Sequence, residues 1–161
     1  MIHYPAGRDL ERPELREVVA GLAARPELWR HLVDHDPSQR IYRQLWRDEH
    51  VVAWLICWMH DHDTGFHDHD TSAGAVTVAG GGICEERLTL GGAPLVRTFG
   101  PGQTFDFAAS DIHRVLHVGD VPAVTLHAYS PPLWRMGAYA VRENGVLARH
   151  SVSYAEELYP L

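Results

Sequence analysis

The sequence contains no lysine, and its 14 basic residues, all arginines, are outnumbered by 21 acidic residues, which leaves a formal net charge of −7. The arginines form no basic run or stripe along the chain. A protein that binds nucleic acid usually presents such a patch to the phosphate backbone. We therefore expect no nucleic-acid partner.

Long apolar runs and cysteine motifs are missing as well. The longest apolar stretch covers residues 51–59, whereas a membrane-spanning helix needs about 20 apolar residues. Residues 1–5 lack the charged-then-apolar pattern of an export signal. The two cysteines, Cys57 and Cys84, form no Cys-x-x-Cys metal motif, and we interpret them as reduced, buried thiols. These observations predict a cytoplasmic protein with no membrane partner.

The hydrophobic pattern indicates helix first and strands afterwards. Between residues 10 and 36 apolar residues recur at nearly helical spacing, and Pro13 suits a first helical turn. Pro26 is expected to begin a second helix in this region. From residue 41 onward, roughly ten short apolar segments follow at intervals of about 8–12 residues, which is typical of an all-β sandwich or barrel. Gly80-Gly81-Gly82 and Asn144-Gly145 mark tight turns between them.

We therefore predict an all-β fold. A double-sheet jelly-roll barrel is expected over about residues 41–154, preceded by a short helical N-terminal cap over about residues 10–36. With 161 residues, of which 45% are hydrophobic, the chain is long enough for one sizeable core. We expect residues 1–161 to form a single domain.

The stretch of residues 57–74 is the most informative for function, because it holds two His-Asp-His pairs. Residues i and i+2 of a strand share a face, so such a pair at a strand end can direct two imidazoles to one metal ion. His67 and His69 precede a predicted strand and are the leading metal ligands. His60 and His62 precede a turn, and we interpret them as loop residues at the mouth of the pocket, although they remain alternative ligands. A solvated, histidine-rich loop is the competing interpretation.

His113 is the third candidate ligand, since it follows the turn and strand around residues 101–107 in the second half of the predicted barrel. Three neutral imidazoles leave Fe(II) with its full positive charge, whereas many non-haem iron sites include a carboxylate. Such a centre suits an anionic ligand, especially a thiolate, and its open positions admit a substrate and O2. Zinc held by three histidines and a water molecule is the chemical alternative.

A row of polar side chains accompanies the histidines. Thr125, His127 and Tyr129 follow one another at i, i+2 and i+4 of a predicted strand and therefore share a face. A hydroxyl, an imidazole and a phenol in this order can form a hydrogen-bond chain in which Thr125 fixes the His127 tautomer and His127 orients the Tyr129 hydroxyl toward the metal. Ordinary alternation on a polar strand face is the alternative.

Taken together, these residues resemble the cysteine dioxygenase family, a branch of the cupin superfamily. The similarity runs from about residue 41 to residue 139. Its most specific parts are Cys57-Trp58, His67-Asp68-His69, His113-Arg114-Val115 and Leu126-His127-Ala128-Tyr129-Ser130-Pro131-Pro132. The resemblance implies a small cupin barrel, an Fe(II) cofactor held by the three histidines (His67, His69 and His113), and a catalytic relay (Thr125, His127 and Tyr129) in which threonine replaces the family's serine.

The resemblance also implies an arginine that binds the substrate carboxylate, and Arg43 takes this position. The family places one residue between a tyrosine and this arginine, whereas Tyr42 and Arg43 are adjacent here. Arg40 and Arg47 are the alternatives, since a bidentate clamp needs a guanidinium group that faces inward.

Three departures from the family pattern bear on the pocket. Animal members carry a cysteine five residues after the second histidine and crosslink it to the tyrosine, whereas this chain has Gly74, as bacterial members commonly do. No such thioether can form here. Residues 59–63 replace a segment that is usually glycine-rich, and Leu116-His117 stands where the family has an acidic residue and asparagine.

The resemblance implies an Fe(II)-dependent thiol dioxygenase that adds both atoms of O2 to the sulfur of a small thiol. L-cysteine is the first-choice substrate and cysteine sulfinic acid its product, with Arg43 neutralising the carboxylate and Tyr129 donating to the oxygen species or the carboxylate. A dioxygenase of another thiol, such as 3-mercaptopropionate, is the alternative within the class. A non-oxygenase metal-binding cupin and a family member without turnover are the alternatives outside it. We expect a monomer, as is frequent in the family.

Overall fold

The structure, a computed structural model, describes residues 7–153, which form one α-helix and 11 strands. The helix α1 spans Arg12–Ala23. The strands are β1 (Ile41–Arg47), β2 (Val52–Trp58), β3 (His67–Asp68), β4 (Ala73–Gly80), β5 (Gly82–Arg87), β6 (Leu95–Phe99), β7 (Thr104–Phe107), β8 (His113–Val118), β9 (Ala123–Ser130), β10 (Arg135–Val141) and β11 (Leu147–Ser153).

Helix α1 begins as predicted, with Pro13 in its first turn. The Glu14 carboxylate accepts a hydrogen bond from the backbone N–H of Glu11 at 2.8 Å, which satisfies a donor that the helix itself leaves unpaired. The prediction of a second helix is wrong, because Pro26–Leu28 and Arg30–Leu32 form two separate 3-10 turns. Trp29 interrupts them with φ −139° while its buried indole donates to the Leu22 carbonyl at 2.9 Å.

The strands pair antiparallel throughout residues 7–153 and form two sheets. One sheet has the order β1-β2-β9-β4-β7, and the other has the order β11-β10-β3-β8-β5-β6. The predicted all-β, double-sheet fold is therefore confirmed, and the glycine turn at residues 80–82 joins β4 of one sheet to β5 of the other. Gly81 adopts φ +67°, which suits a residue without a Cβ atom.

Strand β2 shows how two cores form from one apolar run, since every residue in it is buried. Alternate side chains from Val52 to Trp58 join an apolar cluster between the two sheets. The intervening side chains pack with helix α1 on the outer face of the five-stranded sheet, where Cys57 lies buried and unpaired. The period-2 alternation of a strand thus divides β2 between the inner core and the helical cap.

No helix within residues 7–153 has the length and apolar character needed to cross a membrane.

Candidate metal centre

The three leading histidines come together between the sheets. His67 lies on β3 opposite His113 on β8, and His69 follows β3 directly. One ligand nitrogen from each ring lies within 4.8 Å of the other two. The residues are 6%, 1% and 1% exposed for His67, His69 and His113 respectively. Three imidazoles that converge in a buried space can hold a metal ion.

Hydrogen bonds settle which nitrogens face the centre. Nδ1 of His67 lies 3.0 Å from the Gly65 carbonyl oxygen, and Nδ1 of His113 lies 2.8 Å from Oε2 of Glu85. Both oxygens accept, so each Nδ1 carries the proton and each Nε2 keeps a lone pair. Nδ1 of His69 is buried without a hydrogen-bond partner. This donor set fits a divalent metal ion, which binds neutral imidazoles.

The electrostatic environment keeps these imidazoles neutral. Burial lowers the pKa of His67 to about 4. Burial, followed by the neighbouring histidines, also places the pKa values of His69 and His113 well below their usual range. Since a metal ion binds the unprotonated ring, the ligands are ready for metal at neutral pH without first losing a proton.

Asp68 lies between the candidate ligands His67 and His69. It anchors β3 to the hairpin of β10 and β11. Arg149 on β11 forms a bidentate pair with the Asp68 carboxylate. Its Nε donates to Oδ2 at 2.8 Å, and its Nη2 donates to Oδ1 at 3.0 Å. The Tyr139 hydroxyl donates to the same carboxylate at 2.5 Å. Burial raises the pKa of Asp68, but the hydrogen bonds from Arg149 and Tyr139 outweigh it and hold that pKa well below its usual range. Sequence reasoning missed this anchor, because Asp68 and Arg149 are 81 residues apart.

The polar row on β9 faces the same space. Oγ1 of Thr125 lies 2.7 Å from Nε2 of His127, and Nδ1 of His127 lies 3.1 Å from the Tyr129 hydroxyl. The indole of Trp58 donates to Thr125 at 2.8 Å. The alternative acceptor for the Thr125 proton, the Ile56 carbonyl, is 3.4 Å away. The shorter contact is the stronger one, so Thr125 donates to His127 and the protonated Nδ1 donates to Tyr129.

Burial, together with the smaller effect of the positive charge of Arg40, lowers the pKa of His127 to about 3. His127 is therefore a neutral ring that relays hydrogen bonds. In the direction just derived, the Tyr129 hydroxyl oxygen accepts from His127.

One cavity joins the metal centre, the relay and an arginine. Its lining includes all three histidines, His127 and Tyr129, and is otherwise largely apolar and aromatic. Arg40 is the arginine in the lining, and its guanidinium carbon lies 5.4 Å from the ring centre of Tyr42 and 5.3 Å from that of Trp58. None of the residues that line the cavity, in the part of the chain the structure describes, is acidic.

Arg43, the predicted carboxylate-binding residue, is absent from the cavity lining. Tyr42 turns inward and is 8% exposed, so Arg43, as the next residue of β1, turns outward. Its guanidinium pairs with Asp34 at 3.7 Å, and its side chain is 44% exposed. Arg40, one of the two alternatives, directly precedes β1 and lies in the cavity wall instead.

His60 and His62 also lie outside the cavity lining. His62 is buried, with Nδ1 accepting from the Met59 backbone N–H at 2.9 Å and Nε2 at 3.3 Å from the Pro37 carbonyl oxygen. His60 is exposed, with 85% of its side chain accessible. Backbone groups engage both nitrogens of His62, one from its own loop and one from the segment at Pro37.

The double-sheet fold with three converging histidines defines a class, the cupins or double-stranded β-helix proteins. A Thermus thermophilus protein of known structure is 16% identical, with a TM-score of 0.57 over 64% of this chain and 93% of its own. A cupin superfamily protein from Desulfitobacterium hafniense is 12% identical, with a TM-score of 0.55 over 64% and 87%. A Klebsiella pneumoniae protein with a double-stranded β-helix domain is 14% identical, with a TM-score of 0.55 over 74% and 91%. At these identities the likeness concerns the fold.

The chain belongs to the cysteine dioxygenase type I family, whose sequence model matches residues 6–142. The predicted family is thereby confirmed. No curated protein matches the chain.

Proposed function

We propose that this protein is an Fe(II)-dependent thiol dioxygenase in which His67, His69 and His113 hold the iron. The observation that carries the proposal is that the three histidines of the centre, His127 and Tyr129 of the relay, and Arg40 line one cavity. When bound, iron supplies the redox chemistry by which both atoms of O2 are added to the sulfur of a thiol, giving a sulfinic acid. Membership of the cysteine dioxygenase type I family supports this choice of reaction.

The ligand set favours an anionic substrate. Three neutral imidazoles leave the positive charge of the metal ion uncompensated, so a thiolate gains more from binding there than a neutral thiol does. The buried, largely apolar walls around the centre strengthen this attraction, because charges interact more strongly where water is excluded.

Arg40 is the residue that we assign to the substrate carboxylate. It lies in the cavity wall, where its guanidinium packs over the rings of Tyr42 and Trp58. Such packing over aromatic faces restricts the guanidinium and helps to preorganise it for a planar carboxylate. This assignment replaces Arg43, whose outward position places its charge beside Asp34.

Tyr129 is the proton-bearing group that we assign to the reacting end of the cavity. His127 and Thr125 hold its hydroxyl from behind, at 3.1 Å and 2.7 Å along the chain. A preorganised donor stabilises negative charge that develops on oxygen or on the substrate without the cost of reorientation. In this role the relay positions the hydrogen bond of Tyr129, and Thr125 and His127 transfer no proton.

L-cysteine is the first-choice substrate, and 3-mercaptopropionate is the second candidate. The described lining residues include no carboxylate that could pair with the ammonium group of cysteine, which supports 3-mercaptopropionate as the alternative. Cysteine remains compatible if its amine binds as a neutral ligand to the metal. Both candidates carry the carboxylate that Arg40 would bind.

The deciding experiment is O2 consumption by the Fe(II)-loaded protein with L-cysteine, 3-mercaptopropionate and cysteamine in parallel, with the sulfinate identified by mass spectrometry. We expect uptake with at least one carboxylate-bearing thiol, one O2 for each sulfinate formed, and weaker turnover of cysteamine. Iron-containing protein that consumes no O2 with any of the three thiols would contradict the proposal.

A further inference from the structure

Glu85 is a completely buried carboxylate that touches the candidate metal centre from outside. It lies on β5 and is 0% exposed. Its Oε2 accepts a hydrogen bond from Nδ1 of His113 at 2.8 Å. The contact holds the His113 ring in one orientation and one tautomer, with the lone pair of Nε2 directed to the centre.

Two arginines fix the Glu85 carboxylate in place. Arg97 on β6 donates to Oε1 at 2.6 Å, and Arg87 donates to both oxygens at 3.0 and 3.2 Å. Arg87 is held in turn by the Asp106 carbonyl at 2.8 Å and by the Asp111 carboxylate at 3.1 Å. The carboxylate therefore keeps its position beside His113 and has no freedom to turn away.

We propose that Glu85 is a positioning residue of the metal centre and that it acts through His113. It supplies, one hydrogen bond behind the ligands, the negative charge that three neutral imidazoles lack. A carboxylate behind a ligating imidazole makes the ring a stronger donor to the metal. The two arginines moderate that charge, so the cluster of Glu85, Arg87 and Arg97 tunes the centre. This inference depends on the metal centre of the proposed function, although not on the thiol reaction.

The test compares Glu85→Gln with Glu86→Gln in the full chain. Glutamine has nearly the same shape as glutamate but carries no charge and offers one accepting oxygen in place of two. Glu86 is the next residue of β5, faces away from the core and interacts with Arg114 at 3.6 Å. Both variants therefore lose one carboxylate charge on the same strand, and only one of them loses it behind a ligand.

The readouts are the dissociation constant for Co(II), followed by its visible spectrum, and the Fe(III)/Fe(II) midpoint potential without substrate. Glu85→Gln is expected to weaken Co(II) binding by about 10- to 100-fold, as is typical for partners behind a metal ligand. Its potential should move in the positive direction, because the more highly charged ferric state loses more stabilisation. Glu86→Gln should match the wild type in both. A folded Glu85→Gln protein that also matches the wild type in both would overturn the proposal.

Arg97→Gln provides a second variant with the opposite expected sign. Arg97 lies on an edge strand with 38% of its side chain exposed, so its replacement is better tolerated than a change at buried Glu85. Without this cation the Glu85 charge is less compensated, and the potential should move in the negative direction. If Glu85→Gln does not fold, an unchanged potential in Arg97→Gln overturns the proposal.

These measurements also separate this inference from the proposed function. Protein that binds Co(II) tightly but oxidises no thiol would contradict the proposed dioxygenase activity. The proposal for Glu85 would then still be tested by the Co(II) affinity and the potential of its variants. Wild-type protein that binds neither Co(II) nor Fe(II) would overturn both.

Discussion

Gly74 lies so close to Phe107 that a Cβ atom at this position would overlap two carbons of the phenylalanine ring and come within 3.0 Å of the Tyr129 ring. Phe107 in turn stacks on His69, with ring centres 4.4 Å apart and an interplanar angle of 23°. The space that a side chain at residue 74 would need is therefore occupied by the Phe107 ring, which packs against the candidate ligand His69.

Gly74→Ala should accordingly destabilise the fold by about 1–3 kcal/mol, as is usual when a methyl group is forced into a packed core. It should also weaken metal binding, because Phe107 can yield only by moving against His69. Gly80→Ala is the matched control, since Gly80 lies on the same strand with open space where its Cβ would be. Urea unfolding and Co(II) titration of both variants measure the two effects. Equal behaviour of the two variants would show that Phe107 has room to move.

Replacement of each candidate ligand tests the metal centre directly. His69→Ala should abolish stoichiometric binding of iron, because it removes one of three converging nitrogens and leaves the other two without a complete site. His62→Ala is the control, as His62 is also buried but both its nitrogens meet backbone groups, of Met59 and Pro37. Metal analysis of the purified variants distinguishes them. Iron retained by His69→Ala and lost by His62→Ala would favour the competing histidine pair.

The two arginines of the β1 region should differ in their effect on substrate binding. Arg40→Ala should raise KM for carboxylate-bearing thiols by about 10- to 100-fold, the size expected for the loss of a charge-assisted hydrogen bond. Arg43→Ala should leave KM nearly unchanged, since its side chain faces Asp34. Steady-state kinetics with 3-mercaptopropionate and cysteamine separate loss of the carboxylate contact from a general defect. Similar losses for both thiols would argue against a clamp at Arg40.

Tyr129→Phe should retain iron and affinity for substrate but reduce kcat by about 10- to 100-fold, because it deletes a hydrogen bond that matters in the transition state. Thr125→Val should give a smaller decrease, as it removes the group that sets the His127 tautomer at 2.7 Å and leaves Tyr129 in place. Single-turnover kinetics of iron-loaded protein measure both. A Tyr129→Phe enzyme with the wild-type kcat would remove the phenol from the reaction.

The pH dependence of stability follows from the buried neutral histidines. In the folded protein burial lowers the pKa of His67 from 6.5 to about 4 and that of His127 to about 3. Below pH 6.5 these two histidines are therefore protonated in the unfolded chain but remain neutral in the folded protein until the pH approaches their lowered pKa values. The stability that each ring contributes is complete above pH 6.5 and is lost as the pH falls toward its folded pKa.

For metal-free protein we thus expect the free energy of unfolding to decrease by about 1.4 kcal/mol per pH unit for each such histidine between pH 6.5 and 4. Urea denaturation at several pH values measures the slope. His127→Gln should make it shallower, since one of the titrating rings is removed. A stability that stays level down to pH 4 would show that these rings are not buried as neutral groups.

Local patterns allowed much of this architecture to be predicted. The period-2 alternation of β9 places Thr125, His127 and Tyr129 on one face whatever the rest of the fold does, and the structure shows them in one hydrogen-bonded row. The His-x-His spacing likewise brings two ligand candidates together at a strand end. The single domain, the monomeric state, the cytoplasmic location and the absence of a nucleic-acid partner stay predictions.

Other features escaped prediction because they depend on contacts distant in sequence. Trp29 leaves the helical conformation to reach the Leu22 carbonyl, so the second predicted helix breaks into two turns. The two-residue strand β3 carries too little pattern to be recognised, and it forms because β8 and β10 pair with it on either side. Arg43 departs from the family spacing by one residue, and the direction of its side chain depends on which face of β1 turns toward the second sheet.

By itself the sequence determined the residue types and the short-range spacing of the centre, because i and i+2 relations within one strand need no tertiary contact. The sequence also determined the family, because the family motifs, such as His67-Asp68-His69, consist of contiguous residues. Only the tertiary structure decided which arginine reaches the cavity, which carboxylate lies behind a ligand and which anchors β3. Glu85 meets His113 across 28 residues and Asp68 meets Arg149 across 81, and such pairings exist only once the strands have taken their places in the sheets.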